Sequence, residues 1–359
     1  MKIITVIGAR PQFIKAAPFS DIFRREHQEI LIHTGQHYDS NMSNIFFEEL
    51  GIPTPDYNLE VGSGSHGQQT AKMLEKIEVI IKLEKPNALL VYGDTNSTLA
   101  GALAASKMHV PVYHVEAGLR SYNKLMPEEQ NRILTDHISE LLFCPTKTAV
   151  DNLKKEGIVF GVTNTGDIMY DAVLRNVQLL EQKDYRHLHQ FQEKEYYLAT
   201  IHRAENTDDL EKAKNIFSAL EQLEKPVVLP VHPRTRRIIE KLDISLNNIT
   251  IINPVGYLSM LHLILNSYMV ITDSGGLQKE AYFLKTPCTT LRDQTEWVET
   301  LENQWNVLSK IDVNIIIKNA KRDLICFNYP QSQHFGDGQA ARHIYEVISK
   351  YSGVSDDIL

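Results

Sequence analysis

Short apolar runs alternate with helical segments along the chain, and two runs near its middle show the pattern best. Ala88–Tyr92 and Val110–Val115 are apolar over nearly their whole length, and the small-residue segment Ser97–Lys107 between them has the composition of a helix. Strands without an alternating polar face are typical of parallel sheets, because helices cover both faces of such sheets. The sequence therefore predicts an α/β protein with doubly wound parallel sheets.

The same alternation continues towards both ends of the chain. Further strands are predicted at Ile3–Ile7, Ile30–His33, Leu142–Cys144, Tyr196–Ile201, Val227–Val231, Ile249–Ile252, Met269–Thr272 and Cys288–Leu291. Helices are predicted at Phe13–Phe23, Asn41–Leu50, Thr70–Leu83, Ala149–Lys155 and Gly338–Lys350. The polar, glycine-rich segment Glu60–Gln69 is predicted to be a loop.

The length of the chain favours two domains. A chain of 359 residues is too long for one ordinary core. The polar segment Glu181–Glu195, rich in His and Gln, marks a linker region. We predict an N-terminal domain at 1–167 and a C-terminal domain at 168–343, with a C-terminal helix from about 344 to 359 that packs back on the first domain.

Three carboxylates follow the two central strands. Asp94 comes just after the first, Glu116 ends the second in His-Val-Glu-Ala-Gly, and Glu128 opens the next helix. Because parallel strands end at one edge of a sheet, Asp94 and Glu116 should lie side by side. The structural alternatives are a turn or N-cap role for Asp94 and a first-turn acid for Glu128. An acid at the end of an apolar strand is harder to explain structurally, so proton transfer is favoured.

Several other groups could bind an anion. Arg10 and Lys15 follow the first strand, and Ser274-Gly275-Gly276 opens a helix whose bare N–H groups suit a phosphate. Glu280, about two turns further on, could hold a ribose diol. His202 follows the first strand of the second half. Solvated basic side chains, a tight glycine turn and a histidine bonded beside the sheet are the structural alternatives.

Composition excludes several classes of protein. The net charge is −8, which does not favour a nucleic-acid or anionic-membrane partner. No apolar run reaches the roughly 18–20 residues that a membrane helix needs. The scattered cysteines Cys144, Cys288 and Cys326 suit neither a disulfide framework nor a zinc site. We therefore expect a cytoplasmic protein without a bound metal.

Together the motifs resemble the non-hydrolysing UDP-N-acetylglucosamine 2-epimerases from Met1 to Tyr351. The motifs, in chain order, are Gly-Ala-Arg-Pro-Gln (8–12), His-Thr-Gly-Gln-His (33–37), Gly-Asp-Thr-Asn-Ser (93–97), His-Val-Glu-Ala-Gly-Leu-Arg (114–120), Pro-Glu-Glu-Gln-Asn-Arg (127–132), His-Arg-Ala-Glu-Asn (202–206), His-Pro-Arg-Thr-Arg (232–236), Thr-Asp-Ser-Gly-Gly (272–276) and Gly-Asp-Gly-Gln-Ala (336–340). The resemblance implies two Rossmann-like domains that face each other across a cleft in the GT-B manner, a UDP-sugar substrate and a homodimer.

The resemblance also implies roles for individual residues. The family's catalytic groups fall on Asp94, Glu116, Glu128 and His202. Its UDP contacts fall on Arg10, Lys15, Ser274, Gly275, Gly276 and Glu280, with backbone contacts to uracil between Val255 and Met260. The implied reaction eliminates UDP to a glycal-type intermediate and adds it back with C2 inverted, and it requires no metal and no nicotinamide cofactor. The sequence does not assign the acids to the two faces of C2.

One motif departs from the family pattern. The family has Thr-Glu-Arg-Pro-Glu, whose arginine touches the ligand, whereas this chain has Trp297 in Thr-Glu-Trp-Val-Glu (295–299). Exchange of a cation for an indole changes the sugar that fits. The variant resembles the branch that converts UDP-2,3-diacetamido-2,3-dideoxy-glucuronate to its manno epimer for bacterial surface polysaccharide such as lipopolysaccharide O-antigen. A glutamine of the family's activating second site is replaced near Ser43, so we expect no such activation.

Other functions remain open at this point. The nearest alternative is a UDP-GlcNAc 2-epimerase that makes UDP-ManNAc. An epimerase that releases UDP by hydrolysis or a GT-B glycosyltransferase would share the architecture, but no acceptor surface is evident in the sequence. A non-catalytic nucleotide-sugar-binding protein would be expected to have lost some of the acids or the histidine, and all four residues are present.

Overall fold

A computed structural model describes residues 1–36, 50–180, 185, 191–231, 233–242 and 244–354. The chain divides into two compact units. Unit 1 comprises Met1–Arg175 and Gln333–Leu359, and unit 2 comprises Asn176–Ser332.

The described strands of unit 1 form one seven-stranded parallel sheet in the order β3-β2-β1-β4-β5-β6-β7. The strands are β1 Lys2–Ile7, β2 Gln28–His33, β3 Tyr57–Asn58, β4 Ala88–Tyr92, β5 Val112–Val115, β6 Leu141–Cys144 and β7 Val162–Asn164. The helices are α1 Arg10–Phe23, α2 His66–Glu84, α3 Asn96–Lys107, α4 Pro127–Ile138, α5 Lys147–Lys155, α6 Ile168–Leu180 and, at the end of the chain, α13 Ala340–Val354.

The described strands of unit 2 form a six-stranded parallel sheet in the order β10-β9-β8-β11-β12-β13. The strands are β8 Tyr197–Thr200, β9 Val227–Pro230, β10 Ile249–Ile252, β11 Met269–Thr272, β12 Cys288–Thr290 and β13 Asn306–Leu308. The helices are α7 Ala204–Thr207, α8 Leu210–Glu221, α9 Pro233–Ile239, α10 Tyr257–Asn266, α11 Gly275–Phe283 and α12 Val313–Ala320. Two 3-10 helices lie at Val298–Gln304 and Ile325–Asn328.

The cores explain why the strands lack an alternating polar face. In unit 1, Ile4 and Val6 of β1 and Val91 of β4 pack in one buried cluster with the helix residues Ile77 and Ala100. Residues of the opposite strand face, such as Ile3 and Leu90, are buried as well. Because helices take up both faces, the strands form parallel sheets, and the predicted doubly wound α/β fold is confirmed.

In each sheet the strand order reverses once, between β1 and β4 and between β8 and β11. At such a point the connections on either side lead to opposite faces, which leaves a crevice outside the carboxyl ends of the strands. Residues that follow these four strands are therefore placed to meet a ligand.

Several predicted element limits were wrong. Helix α1 begins at Arg10 instead of Phe13, because Pro11 suits a first helical turn and Gln12 caps the preceding backbone. Helix α2 begins at His66, inside the predicted loop, because the side chain of Ser65 accepts a hydrogen bond from the Gln68 N–H. The predicted helix at residues 41–49 and most of the predicted linker lie outside the described residues.

The limits of the units lie within α6 and before α13, at Arg175 and Gln333. They therefore differ from the domain limits proposed from the sequence, at 167/168 and 343/344. Helix α13 contacts α1. Asp171 of α6 accepts hydrogen bonds from the backbone N–H groups of Ala340 and Ala341, at 3.0 and 2.8 Å, and thereby caps the start of α13. Within the described residues, no helix combines the length and apolarity that crossing a membrane requires.

Because Asp171 caps α13, we expect its contribution to the free energy of unfolding to decrease as the pH rises. Burial is the main cause that raises the pKa of Asp171 to about 6. For a carboxylate with a raised pKa, the stabilising contribution is fully present below about pH 4 and is lost as the pH rises through about 6. Urea unfolding at pH 4 to 7.5 should show the wild type losing up to about 3 kcal/mol relative to Asp171→Asn.

The exposed carboxylate of Asp151, on α5, provides the control for this experiment. The variant Asp151→Asn should follow the wild-type pH profile closely. A constant difference between the wild type and Asp171→Asn across the pH range would contradict the prediction.

Candidate active site

Two acidic residues follow the ends of neighbouring strands in the sheet of unit 1. Strands β4 and β5 are parallel neighbours with Tyr92 paired to Val115, so the residues that follow them emerge at the same edge. The Gly93 N–H donates to the Val115 carbonyl at 3.0 Å and ties the two strand ends together. Asp94 and Glu116 are therefore brought to one edge, as the sequence predicts.

Glu116 is a buried carboxylate in a strained backbone conformation. Its φ angle is +68°, in the left-handed region that residues with a side chain rarely adopt. Its carboxylate pairs with the Lys15 ammonium of α1, and the Glu116 residue is 5% exposed. Such strain costs on the order of 1–3 kcal/mol and is concentrated at functional sites. Strain and a buried charge at one residue favour a chemical role over a purely structural one.

Asp94 is held by a cation that the sequence analysis missed. Its carboxylate pairs with Arg132 of α4, which also donates to Glu129 at 2.9 Å. Glu129 in turn accepts the backbone N–H groups of Ser121 and Tyr122, each at 2.8 Å. Although burial alone would raise the pKa of Glu129, these N–H donors and the Arg132 charge keep it below its usual range. Glu129 thus stays ionised and fixes Arg132 beside Asp94.

Glu128, the neighbour of Glu129, is exposed in the first turn of α4. Only one of these consecutive acids can face the sheet, because neighbouring residues of a helix point about 100° apart. Glu129 takes that position, and Glu128 faces outwards.

The turn after β1 is fixed by Gln12. Its side-chain oxygen accepts the N–H groups of Gly8 and Ala9 at 2.8 and 3.0 Å, and its amide donates to the Tyr92 carbonyl at 2.7 Å. The turns after β1 and β4 are thereby joined where the strand order reverses. Because α1 begins at Arg10, Lys15 lies in its second turn, and the predicted place in the opening turn was wrong.

In unit 2 the corresponding edge is organised by Asp273, which follows β11. Its buried carboxylate accepts the backbone N–H groups of His202 and Arg203 and the amide of Asn206, at 3.0 to 3.2 Å. The His202 Nδ1 lies 3.1 Å from Asp273 Oδ1. Burial raises the pKa of Asp273, but the hydrogen bond and charge of His202 and the other donors outweigh it and hold the pKa low. Asp273 therefore fixes His202, whose side chain remains half exposed.

Helix α11 begins at the same edge with Gly275, after the N-cap Ser274. A Cβ atom on Gly275 would lie 2.6 Å from the Glu296 carboxylate, so a larger residue there would displace the end of that side chain. That carboxylate approaches the bare start of the helix and lies 3.1 Å from the Arg292 guanidinium. An acidic oxygen at a helix N-terminus is favourable, and the phosphate of a ligand would be favourable there for the same reason.

Further along α11, Glu280 is buried and the Lys279 ammonium lies 3.7 Å from the centre of the Trp297 ring. Trp297, the proposed specificity residue, is itself buried, with 6% of its surface exposed. The aromatic face stabilises the buried ammonium through its negative quadrupole. Trp297 is therefore in direct contact with the Lys279 cation.

The structure describes some of the remaining predicted residues and not others. Val255 lies in the loop before α10, while Met260 lies inside that helix and donates its N–H to the Gly256 carbonyl at 3.0 Å. A backbone contact to a base is therefore easier from Val255 than from Met260. His37, Ser43 and His232 lie outside the described residues. Those residues that are described contain no group of three or more His, Cys, Asp or Glu side chains placed to hold a metal ion.

The comparison with known proteins places these residues in a family. The family model described as UDP-N-acetylglucosamine 2-epimerase matches residues 21–349. The chain belongs to the UDP-N-acetylglucosamine 2-epimerase family. It is an isomerase, a UDP-sugar 2-epimerase, like the other members.

Individual relatives match over their whole length. A Methanococcus maripaludis UDP-N-acetylglucosamine 2-epimerase homolog is 53% identical, with 97% of this chain and 99% of that protein covered. The UDP-2,3-diacetamido-2,3-dideoxy-D-glucuronate 2-epimerase of Pseudomonas aeruginosa is 51% identical, with 98% and 100% covered. The crystal structure of Methanocaldococcus jannaschii UDP-GlcNAc 2-epimerase with UDP-GlcNAc and UDP has a TM-score of 0.88 at 42% identity, covering 98% of this chain and 100% of that one.

Sequence reasoning missed several residues at the two sheet edges of this epimerase. Arg132 and Glu129 were overlooked although they are three residues apart, the spacing that puts a charge pair on one helix face. Asp273 comes after the end of β11 as Asp94 comes after the end of β4, and this similarity in position could have identified Asp273 as a site residue. Gln12 gave no such signal, because an amide that caps a turn has no distinctive spacing.

The contacts of Asp273 predict a pH dependence opposite to that of Asp171. Its depressed pKa contributes stability that is fully present above the ordinary value of 3.8 and is lost as the pH falls through the folded-state pKa. Asp273→Asn should therefore unfold at lower urea concentration than the wild type at neutral pH, and the gap should narrow below about pH 4. A gap that stays constant down to about pH 3 would show that the carboxylate charge is not what stabilises this edge.

Proposed function

We propose that the protein inverts C2 of a UDP-linked 2-acetamido sugar by eliminating UDP and adding it back. The family membership supports a UDP-sugar 2-epimerase, and the two acids at one sheet edge, each in contact with a basic side chain, support the proton chemistry. An acid at the end of each of two neighbouring strands, each paired with its own cation, is the observation that carries this proposal.

The proposed catalytic groups are Asp94, Glu116, Glu128 and His202. The proposed UDP-binding groups are Arg10, Lys15, Val255, Met260, Ser274, Gly275, Gly276 and Glu280. The assignments of Asp94, Glu116, Lys15 and His202 rest on the motif positions together with the geometry of each edge, whereas those of Glu128 and Met260 rest on the motif positions alone. In unit 1, Glu116 and Lys15 lie at the carboxyl edge of the sheet. In unit 2, the N-terminus of α11 and the half-exposed His202 lie at the corresponding edge.

Elimination explains why this reaction needs such groups. The C2–H bond of an N-acetylated sugar is weakly acidic, so a base removes H2 while the C1–O bond to UDP breaks. The C2–H electron pair forms the C1=C2 double bond, and the C1–O pair leaves with the diphosphate. For inversion, a proton then reaches the opposite face of C2 while a diphosphate oxygen adds to C1. Acids on both faces and donors for the departing diphosphate are therefore required.

For the substrate we propose UDP-2,3-diacetamido-2,3-dideoxy-glucuronate, converted to its manno epimer for bacterial surface polysaccharide. The Pseudomonas aeruginosa relative with that name is 51% identical over its full length. Trp297 next to the buried Lys279 supports a sugar pocket that differs from one built around an arginine. The alternative is conversion of UDP-GlcNAc to UDP-ManNAc, which is supported by the name of the Methanocaldococcus jannaschii protein.

Further features belong to the same proposal. We expect a cytoplasmic homodimer whose reaction uses no metal and no nicotinamide cofactor. A non-catalytic nucleotide-sugar-binding protein or a glycosyltransferase is the more distant alternative. The strained Glu116 backbone favours catalysis over mere binding, since strain is retained where chemistry uses it.

Proton NMR in D2O with two substrates in parallel tests the proposal. One is UDP-GlcNAc, and the other is the 2,3-diacetamido uronate. Inversion with deuterium entering C2 of the uronate alone would support both the reaction and the substrate. Turnover of UDP-GlcNAc would show that Trp297 does not define the substrate. Free UDP without a manno nucleotide-sugar would identify a hydrolysing enzyme.

The proposed acids can be tested one at a time. Asp94→Asn, Glu116→Gln and Glu128→Gln should each lower the rate of C2 inversion at least about 100-fold, because each removes a group that transfers or orients a proton. UDP affinity, measured by calorimetry, should stay within about threefold of wild type. The exposed Glu75 on α2 provides a matched control, and Glu75→Gln should keep full activity. A variant of the three with wild-type inversion would remove that residue from the catalytic set.

A further inference from the structure

His114 lies on β5, two residues before Glu116, and is fully buried. Both nitrogens of its ring are in hydrogen-bonding contact. Nδ1 lies 2.7 Å from Asp136 Oδ1 of α4, and Nε2 lies 2.7 Å from the Gly93 carbonyl oxygen at the end of β4. The ring thus joins the turn that carries Asp94 to the helix that carries Arg132.

Both partners of the ring accept hydrogen bonds and cannot donate them. A backbone carbonyl has no proton, and the Asp136 carboxyl is ionised. Burial pushes the pKa of Asp136 upwards, but the contacts with His114 and Arg120 outweigh this and hold the pKa below its usual range. A neutral imidazole has one N–H and one lone pair, so one of these short contacts would bring two lone pairs together.

We propose that His114 is a buried imidazolium that donates from both ring nitrogens and positions the turn with Asp94 relative to Glu116. It acts through Gly93 and is therefore a positioning residue. This inference rests on the proposed function only in taking Asp94 and Glu116 as the reacting acids. The charge state of the ring follows from its contacts alone.

The charges around the ring balance. Asp136 Oδ2 accepts Arg120 Nη1 at 2.7 Å, and Arg120 binds both carboxylate oxygens of Glu156 at 2.7 Å. With His114 protonated, the network contains two cations and two anions and is neutral as a whole. With a neutral ring the network would carry one excess negative charge, although the Glu156 side chain, 26% exposed, is in partial contact with water.

Other titratable groups around the network do not supply this charge. The Cys144 thiol is kept protonated, because burial and the nearby Asp136 raise its pKa. His137 lies 3.4 Å from Glu156, but its side chain is about half exposed. A proton on His114 therefore balances the charge of the four-residue network as a whole, in which Glu156 is the partly exposed member.

The position of the ring gives the charge a consequence for the site. The Gly93 N–H is held by Val115 and its carbonyl by His114, so both polar groups of this residue are fixed to β5. Asp94 is the next residue, and Glu116 follows Val115 directly. Loss of one N–H from the ring would leave the Gly93 carbonyl unpaired and loosen the Asp94 turn, and a misplacement of about 1 Å can lower a rate about 100-fold.

The charge state can be read directly by nitrogen-15 NMR of the full-length wild-type protein with labelled histidine. His114→Gln identifies the resonance. We expect protons on both ring nitrogens of His114 at neutral pH. A ring with one unprotonated nitrogen at neutral pH would overturn the proposal. This readout does not depend on turnover, so it can fail while the proposed epimerase reaction stands, and the reverse also holds.

The positioning role has a kinetic test. Glutamine at position 114 can donate from only one atom, so His114→Gln should lower kcat about 10- to 100-fold while KM for the UDP-sugar and UDP affinity change less than about threefold. His137→Gln is the matched control and should keep wild-type kcat. Unchanged kcat in His114→Gln would overturn the positioning role. If that variant does not fold, through-bond assignment of the His114 ring resonances in the wild type still decides the charge state.

Discussion

Parallel pairing of the strands is the constraint on which the rest of this structure depends. Every strand pair that the structure describes is parallel, so the carboxyl ends of each sheet's strands meet at one edge. The order of the strands reverses at β1 and β4 in unit 1 and at β8 and β11 in unit 2. Asp94, His202 and Asp273 follow three of these four strands. The proposed site residues thus lie where the topology leaves an opening.

At each of these edges acidic side chains are held by specific partners, with the carboxylates of Glu116 and Asp273 buried and the side chain of Asp94 30% exposed. Glu116 has Lys15, Asp94 has Arg132, and Asp273 has His202 together with backbone N–H groups. Buried ion pairs contribute little net stability, because desolvation offsets their attraction. Their retention, together with the strained backbone of Glu116, is better explained by a function that needs ionised groups in fixed places.

The sequence was sufficient for elements whose burial is uniform. Ala88–Tyr92 and Met269–Thr272 form strands with the predicted limits, since an apolar run of that length has few other solutions. The short strands Tyr57–Asn58 and Asn306–Leu308 were not predicted, because so few residues carry no periodic signal. The start of α2 was also missed, because Ser65 caps the helix in a segment whose glycines indicate a loop.

The same distinction applies to the site. Asp94 and Glu116 could be proposed because each directly follows a buried strand. The pair of Arg132 and Glu129 has a detectable helical spacing, but the contact of Arg132 with Asp94 and the role of the His114 ring arise between different elements and could not be proposed. Glu128 and Glu129 show the limit clearly. A sequence gives two neighbouring acids similar weight, and only the orientation of α4 distinguishes the exposed one from the buried one.

The central claim is that C2 inverts through cleavage of the C1–O bond to UDP. It is tested most directly with a substrate carrying oxygen-18 in the bridge between C1 and the β-phosphorus, monitored by phosphorus NMR. Elimination frees the diphosphate oxygens to exchange places, so the label should move from the bridge to non-bridging positions as inversion proceeds. A label that stays in the bridge while C2 inverts would contradict elimination and re-addition.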